Sequence, residues 1–368
     1  MTVARGGVAR RPQRSAILLR SARCTCAYWS DGDLRIVNYL TRDRFGANPV
    51  VLELLRFFFA PRTIRAALVE FDSYTRESVS DTLLKLIDAR LVLACDSPEA
   101  ARDELADSSW RPWLPEGGFH FLTKDAPYVG GDWTLAEKMA TIPNTPPPPA
   151  FKKSAAPKSI PLARQEPEKD SFFQTLHARR TRRDFSRAAL PLENIAMLLQ
   201  TTWGVQGYLE SKYFGRLPIK TSPSGGARNP IEVYLMALKV RGLDSGLYHY
   251  DPKDHALETI SLAATPWKAR AYCADQPFVA HSAALFIMTG VFARTMWKYH
   301  HPRAYRVVLL EAGHLGQTFC LTATRMGLAP FSTAALKDTL IESDLEIDGI
   351  AESVLYVTGV GMPARDNQ

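Results

Sequence analysis

Four arginines stand within the seven residues RRTRRDF, at positions 179–185. Such a cluster could bind nucleic acid, an acidic protein or a single phosphate, because a guanidinium is a permanent cation that binds phosphate through two hydrogen bonds. Asp184 interrupts the run, and no basic stripe with interleaved aromatic residues surrounds it, so a nucleic-acid interface is not expected. A solvated basic helix end is the structural alternative. In an extended segment Arg179, Thr181 and Arg183 would project to one side, which favours one phosphate.

A lysine and a tyrosine stand side by side in the sequence WKYHHPRAYR, at Lys298 and Tyr299. An ammonium beside a phenol stabilises the phenolate, and desolvation favours the neutral amine, so either side chain could become a general base. His300 and His301 follow directly and are alternative bases. A surface lysine and a half-buried tyrosine before a helix are the structural alternative.

Glu311 and His314 are three residues apart on one face of a predicted long helix, the Glu-x-x-His spacing of di-iron sites. Such sites need a second copy of the pair and further glutamates, and the chain has no second copy. Five scattered cysteines do not form a zinc pattern either. We therefore expect no metal site and place the pair in the core or at a subunit interface.

The composition is that of a folded protein with two domains, since 46% of the 368 residues are hydrophobic. A net charge of +7 favours acidic partners but is modest for a dedicated nucleic-acid-binding protein. No apolar run reaches the roughly 18 residues of a membrane helix. The cysteines, which include no CxxC pair, predict a reducing, cytoplasmic location.

Composition also marks the domain boundaries. Residues 1–30 are expected as a flexible tail, and residues 142–170, rich in proline, lysine and alanine, as an extended linker. Residues 31–141 then form a small first domain and residues 171–368 a second domain.

The first domain has the pattern of a winged helix. Asn48 and Pro49 are a cap and a first helical residue, and two more helical segments follow before position 90. Segments 34–40 and 91–95 are predicted as a pair of strands, and the aromatic segment 110–133 as strand and turn. The predicted third helix mixes acidic and basic residues, which makes a poor surface for phosphates.

The second domain is predicted as α+β. Strands are expected at 231–238, 282–292 and 353–361, and helices at 172–180, 191–205 and 305–327.

The arginine run in ARRTRRDF resembles the opening motif of the FMN-dependent nitroreductase-like fold, and TSPSGGARNPIEVYL (221–235) resembles its flavin-supporting loop and strand. The Pro-Ser-Gly-Gly-Ala form with a downstream Pro-x-Glu-x-Tyr is similar to the SagB/McbC-type dehydrogenases, the azoline oxidases of peptide natural-product biosynthesis. Several other segments match the same group in the expected order, so the resemblance covers most of the chain. These segments are FHFLTKDAPY (119–128), GLYHYDPKDHALE (246–258), KYHHPRAYRVVLLEAGHLGQTF (298–319) and LYVTGVGMP (355–363).

The resemblance implies a central, mostly antiparallel sheet flanked by helices, and a homodimer with two FMN molecules at its interface. Lys298 and Tyr299 match the Lys-Tyr pair of the azoline-oxidase active site. The segment that faces flavin N5 usually contains glycine, but residues 328–338 have none, and Thr333 and Ala334 stand nearest. The residues implied in FMN binding are Arg179, Thr181 and Arg183 for the ribityl phosphate, Pro223, Ser224 and Gly225 for the ring, Thr333 and Ala334 near N5, and Arg306 for the cofactor or the peptide.

The expected function is FMN-dependent oxidation of peptide thiazolines or oxazolines to thiazoles or oxazoles, in the biosynthesis of ribosomal peptide natural products. A generic NAD(P)H-dependent nitro or quinone reductase would share the fold and cofactor. A non-catalytic peptide-binding scaffold for a cyclodehydratase is the alternative from another class.

The first domain resembles peptide-recognition elements of the PqqD type, in which a leader peptide is added as a strand to the wing. The strand at 34–40 would offer the edge, and a structural cap or a DNA-binding domain are the alternatives. The expected partners are a modified precursor peptide and a cyclodehydratase, with neither nucleic acid nor membrane.

Overall fold

The computed structural model describes residues 17–126, 134, 137, 140, 171–212 and 215–364. The chain forms two compact units, of which the first ends at Leu122 and the second begins at Thr123. The sequence placed the end of the first domain at residue 141, whereas residues 123–126 group with the second unit. The expected proline-rich linker, 142–170, and residues 1–16 of the expected tail lie outside the described residues.

The first unit begins with strands and continues with capped helices. The Asn48 side chain accepts a hydrogen bond from the Val51 N–H at 3.0 Å, as predicted for a helix start at Pro49. Its elements are β1 (Leu19–Ser21), β2 (Thr25–Ser30), β3 (Asp33–Asn38), β4 (Arg44–Gly46), α1 (Pro49–Phe57), α2 (Ile64–Glu70), α3 (Arg76–Asp88), β5 (Val92–Ala94), α4 (Pro98–Trp110), a 3₁₀ turn (Arg111–Trp113) and α5 (Glu116–Leu122).

Two expectations for the strands of this unit are wrong. Residues 19–30 are not a flexible tail, because they form β1 and β2. Strand β5 pairs with β1 and not with β3, which lies between β2 and β4 in a separate three-stranded sheet. The tendency to form a strand depends on neighbouring residues, but the choice of the partner strand does not. Because β1 lies in the segment expected to be a flexible tail, β3 was the predicted partner of β5 instead. The winged-helix assignment stays a prediction.

The aromatic segment that starts at residue 110 is helical at residues 110–113 and 116–122 rather than strand, with turns at 114–115 and 123–125, and residues 127–133 lie outside the described residues. Trp110 and Trp113 are fully buried, and the His120 ring stacks on Trp110 with centroids 4.9 Å apart. Burial of these large rings stabilises short helices whose sequence alone is ambiguous.

The described part of the second unit is built on one six-stranded sheet, in which every adjacent pair is antiparallel in the order β12-β11-β9-β13-β15-β14. This confirms the predicted α+β class with an antiparallel sheet and flanking helices. The elements are α6 (Ser171–Ala178), β6 (Leu190–Pro191), α7 (Leu192–Thr202), β7 (Gly207–Ser211), β8 (Gly215–Ile219), β9 (Ile231–Ala237), β10 (Val240–Arg241), β11 (Gly246–Asp251), β12 (Ala256–Ser261), α8 (Pro266–Tyr272), β13 (Ala284–Val291), α9 (Phe292–Met296), α10 (Ala304–Arg325), β14 (Ala329–Thr333), α11 (Asp338–Asp344) and β15 (Glu352–Gly361), with 3₁₀ turns at Gly225–Ala227 and Pro277–His281.

Helix α10 packs on this sheet and on α7 and α6. Phe319 of α10 is fully buried, with its ring 4.8 Å from that of Phe286 on β13, and Trp203 stacks on the same Phe286 ring at 5.6 Å. At 22 residues α10 is about 33 Å long. Among the described helices, including α10, none is both long and apolar enough to cross a membrane.

A buried ion pair anchors the start of the second unit. The Lys124 ammonium donates to both carboxylate oxygens of Glu342 at 2.7 and 2.6 Å, and to the Gly349 carbonyl at 3.2 Å. Glu342 also accepts hydrogen bonds from the Ser353 hydroxyl and the Val354 N–H. The lysine of the FHFLTKDAPY segment therefore holds the chain against α11 and β15.

Lys124→Met should lower the free energy of unfolding of the second unit by about 3–5 kcal/mol, because the Glu342 carboxylate would stay buried without its cation. Urea denaturation of the full-length protein measures the loss. In Lys124→Met/Glu342→Gln the amide oxygen still accepts from Ser353 and Val354 and no charge is left unpaired, so we expect most of the stability to return. An equal loss in both variants would contradict this account.

Candidate functional site

The glycine-rich segment forms a tight loop between β8 and β9, which we call the glycine loop (residues 221–229). Its 3₁₀ turn places Gly226 in the left-handed region, at φ +64°. Inside the loop the Ser224 hydroxyl oxygen accepts from the Asn229 N–H at 2.8 Å. Arg294 on α9 donates to the Asn229 carbonyl at 3.0 Å. The loop is therefore held both by its own turn and by a neighbouring helix.

Lys298 and Tyr299 lie against this loop. A Cβ added at Gly226 would stand 2.6 Å from Tyr299 Oη and 2.8 Å from Lys298 Nζ. Lys298 Nζ is 5.5 Å from the centroid of the Tyr299 ring. The fold thus brings together two motifs that are more than 70 residues apart in the sequence, and Gly226 is glycine because the lysine and tyrosine side chains fill the space of a side chain there.

Helix α10 supports the other side of the loop. A Cβ at Gly225 would lie 2.4 Å from Val307 Cγ1, so this glycine is also required by the chain's own packing. Glu311, one turn further along α10, is 4% exposed and interacts with Ser224 and with the Gly225 backbone. Burial raises the pKa of Glu311 to about 7, while the hydrogen bond from Ser224 and the charge of Lys220 act in the opposite direction.

The arginine run begins at the last turn of α6 and lies beside β14. Phe185, which closes the run, packs on Phe331 with ring centroids 5.9 Å apart, and the Arg182 N–H donates to the Pro330 carbonyl at 2.8 Å. Arg180 and Arg182 both line a cavity of about 280 Å³ with Thr324 and Gly327. Arg180 and Arg182 therefore share one side of the run, and the common side expected for Arg179, Thr181 and Arg183 stays a prediction.

The predicted phosphate-binding residues Arg179, Thr181 and Arg183 do not line this cavity. Arg179 is half-buried, and its positive charge counteracts the rise in pKa that burial causes at the Cys320 thiol on α10. The Arg183 guanidinium lies 5.4 Å from the centroid of the Phe278 ring, while Thr181 is exposed. This basic end of the site is next to β14 and the C-terminal half of α10.

Thr333, at the end of β14, is buried and its hydroxyl is already engaged. Its Oγ1 accepts from the Gln276 side-chain amide at 2.9 Å and from the Ala335 N–H at 3.1 Å. Ala334 is exposed directly after it. Gln276, which bonds to Thr333, is two residues before Phe278, whose ring lies against the Arg183 guanidinium. The end of β14 is therefore close to the arginine run.

The predicted site residues form two clusters along α10. The glycine loop meets α10 at Val307 and Glu311, and Arg179 acts on Cys320. Nine residues of helix separate Glu311 from Cys320, which is about 14 Å along the axis. Arg306 is exposed in the first turn of α10, next to Val307.

A charged network that the sequence analysis did not identify lies behind the loop. Arg294 pairs with Glu232, and His249 Nε2 is 3.0 Å from the same carboxylate. The hydrogen bond to Glu232 raises the pKa of His249 to about 9. The Pro-x-Glu-x-Tyr motif contains Glu232, but its partners come from α9 and β11 and have no signal in the sequence.

The Glu311–His314 pair differs in burial. Glu311 is buried, which confirms a core position for the glutamate, whereas His314 is exposed and its expected place at a subunit interface stays a prediction. In the described part of the chain no group of three potential metal-ligating side chains occurs. The sequence did carry a signal for Glu311, because it falls in the buried stripe of α10 with Val308 and Leu315.

The family model of the nitroreductases matches residues 176–362, just over half of the chain. The chain belongs to the nitroreductase family. This confirms the predicted fold family of the second unit and points to an oxidoreductase. Nitroreductases generally bind a flavin.

The similar proteins include two that are named for the processing of trifolitoxin and of microcin B17. The trifolitoxin-processing protein TfxB of Rhizobium leguminosarum bv. trifolii is 35% identical over 144 residues, 37% of this chain and 38% of TfxB. The microcin B17-processing protein McbC of Escherichia coli is 29% identical over 144 residues, 38% of this chain and 53% of McbC. The chain thus spans about two fifths and about half of these relatives, and their presence confirms the SagB/McbC-type resemblance at family level.

A solved structure of the Escherichia coli microcin synthetase McbBCD complex with truncated pro-MccB17 bound is also similar. The match covers 73% of this chain and 95% of that chain, at 21% identity and a TM-score of 0.46.

Gly226→Ala should displace the ends of Lys298 and Tyr299, since both contact atoms belong to side chains that can move away from an added methyl group. Gly327→Ala is a matched control, because Gly327 has φ +71° and nothing lies within 4 Å of its added Cβ. Both variants should lose about 1 kcal/mol of unfolding free energy through left-handed strain. Crystal structures should show movement of the pair in Gly226→Ala alone, and an unmoved pair would refute the contact.

Proposed function

We propose that this protein is an FMN-dependent dehydrogenase that oxidises thiazolines or oxazolines of a modified precursor peptide to thiazoles or oxazoles. The observation that carries the proposal is the contact of Gly226 with Lys298 Nζ and Tyr299 Oη. It joins the loop that resembles a flavin support to the pair that resembles the base of azoline oxidases. Membership of the nitroreductase family and the relatives that process trifolitoxin and microcin B17 support it.

The residues present fit FMN at both of its ends. A phosphate dianion needs cations and hydroxyls, which Arg179, Arg183 and Thr181 would supply from the arginine run. A planar ring needs a surface without bulky side chains, which Pro223, Ser224 and Gly225 supply. Thr333 and Ala334 would lie near N5, and Arg306 would contact the cofactor or the peptide.

The chain supplies the proton chemistry of the reaction. Bound FMN would supply the acceptor for the hydride that leaves one ring carbon, with oxygen taking up the electrons afterwards. Lys298 or Tyr299 would remove the proton from the adjacent α-carbon, because the two groups stand together at the edge of the glycine loop. The loop holds both groups in place, so that the proton and the hydride can leave from neighbouring carbons.

We further propose a homodimer whose interface includes α10. Leu310 is 62% exposed and Leu309 39% exposed, and nothing lies within 4 Å of a Cβ added at Gly313. This exposed apolar stripe could pack against a second copy. Pairing would let the glycine loop of one protomer reach the flavin held by the arginines of the other, as the family resemblance implies.

The first unit is proposed to bind the leader part of the precursor peptide. Strand β3 (Asp33–Asn38) cannot offer the edge, because it is paired on both sides, which corrects the expectation for residues 34–40. Strand β2 lies at the border of that sheet and carries Trp29, which is 72% exposed. A peptide added as a strand beside β2 would gain main-chain hydrogen bonds and an aromatic contact. A cyclodehydratase partner and a cytoplasmic location complete the proposal.

Arg179→Ala/Arg183→Ala should weaken FMN binding by about 100-fold or more, because it removes two charge-assisted contacts worth roughly 1.5–3 kcal/mol each. The visible flavin spectrum of the purified protein and FMN titration measure the change. Arg180→Ala/Arg182→Ala removes the same charge from the opposite side and should keep the yellow colour. A pale control and a yellow test variant would place the phosphate in the cavity of Arg180 and Arg182 instead.

Lys298→Ala and Tyr299→Phe should retain FMN but lower the rate of azole formation, at least one of them by about 100-fold or more, the usual contribution of a general base. Mass spectrometry of an azoline peptide detects the loss of hydrogen. His300→Ala and His301→Ala are the controls and should remain active. Full activity of both the lysine and the tyrosine variant would eliminate the proposed base.

The same purified proteins distinguish the two alternative functions, a generic reductase and a peptide-binding scaffold. Rapid bleaching of the flavin by NADPH, with no azole formed, would support a generic reductase. A wild-type protein that remains colourless after FMN is added would support the peptide-binding scaffold.

A further inference from the structure

Glu311 has a combination of contacts that a purely structural core residue does not need. It is 4% exposed, and it interacts with the Ser224 side chain and the Gly225 backbone. Ser224 Oγ accepts from the Asn229 N–H, so its own hydroxyl proton is available for the carboxyl. The remaining oxygen, Oε2, has no hydrogen-bond partner among the residues that the structure describes.

These contacts connect a core carboxyl with the Lys-Tyr pair through one short segment. Ser224 and the Gly225 backbone interact with Glu311. The next residue, Gly226, contacts Lys298 Nζ and Tyr299 Oη. Val307, one turn before Glu311 on the same helix, packs on Gly225. The position of the loop relative to α10 therefore depends on the carboxyl as well as on the apolar contact.

We propose that Glu311 is a positioning residue, which clamps the glycine loop to α10 and thereby holds the Lys298–Tyr299 pair in its reactive arrangement. The clamp itself is a property of the free protein. Its effect on catalysis rests on the proposed function.

Burial makes the protonated carboxyl the favoured form in the closed clamp, and it outweighs the hydrogen bonds from Ser224 and the Gly225 backbone and the charge of Lys220, which favour the carboxylate. A buried charge with an unsatisfied oxygen is costly, so closing the loop over Glu311 favours the neutral acid. The pKa of Glu311 accordingly rises from its ordinary 4.5 to about 7. Because the pKa is higher in the closed state, closure is most favourable at low pH, and this contribution is lost as the pH rises through about 7.

The other charged groups that face this position are few. Lys220 precedes the loop, and burial lowers its pKa while Glu232 and Glu311 raise it. Glu232 on β9 and Arg294 on α9 interact with Lys220 and pair with each other, and His249 bonds to Glu232. Within its own helix, His314 is exposed. Since Glu232 is already paired with Arg294 and His249, Lys220 and Glu311 remain as the groups that respond to each other.

Amide hydrogen exchange of peptides covering the glycine loop tests the clamp in the full-length protein as purified. Protection factors correct for the intrinsic pH dependence of exchange, from about pH 5 to about pH 8. In the wild type, protection of the loop should fall as the pH rises and level off above about 7. Glu311→Gln imitates the neutral carboxyl, so its protection should stay high and constant. Glu311→Ala should lose protection by about tenfold or more at every pH, the effect of one or two missing hydrogen bonds.

His314→Ala is the control, because it lies on the same helix but is exposed, and it should follow the wild type. A pH step that persists in Glu311→Gln would overturn the proposal, even if Glu311→Ala proves too unstable to study. Wild-type protection in Glu311→Ala would overturn it as well.

The rate of azole formation is the second measurement. Glu311→Ala should lower kcat by about tenfold or more, in proportion to its loss of loop protection, and Glu311→Gln should restore it. If the loop responds as expected but the wild type oxidises no azoline, the clamp stands and the proposed function fails. Full kcat in Glu311→Ala, together with lost loop protection, would show that the clamp does not position the pair.

Discussion

Packing of helix α10 on the antiparallel sheet is the constraint on which the candidate site depends. Phe319 locks the helix onto Phe286, and a Cβ at Gly316 would lie 2.7 Å from the Tyr356 ring, so α10 lies very close to β15 there. A fully buried interface of this kind is as tightly packed as a crystal and does not deform smoothly. Because α10 is rigid, the loop contact at its first half and the arginine contact at its second half keep a fixed separation.

The two ends of the site are held by different kinds of interaction. Around the arginines the anchors are apolar: Phe185 packs on Gly361 and Phe331 and leaves the guanidinium groups accessible. Around the glycine loop the anchors are polar and partly buried, and include Arg294, Glu232 and Glu311. Replacing such buried ionic groups by apolar residues often stabilises a protein, so their stability contribution does not explain them. A role in holding the glycine loop in one geometry explains why these buried groups are present.

The first unit also depends on contacts between elements that are far apart in the sequence. Its hydrophobic centre gathers residues from β1, α1, α3 and β5, so the strand nearest the N-terminus completes a core that the helices alone would leave open. Strand β3, which looked like an available edge, is instead enclosed by β2 and β4. The proposed peptide-binding edge is therefore β2, an outer strand of that sheet.

The sequence by itself determined the elements whose signal is local. The cap at Asn48, the long apolar helix closed by Gly327 and the strands at 231–238 and 353–361 were all readable from spacing and residue type. The motifs also indicated the family, because their order along the chain is a property of sequence alone.

Only the tertiary structure decided which distant residues meet. Gly226 faces Lys298 and Tyr299, Glu311 interacts with the glycine loop, and β5 pairs with β1, and none of these contacts follows from periodicity. Secondary structure depends on interactions over a few residues, whereas a site depends on contacts that close long loops of chain. Those contacts are selected by the packing of the whole core, which no single segment of the sequence contains.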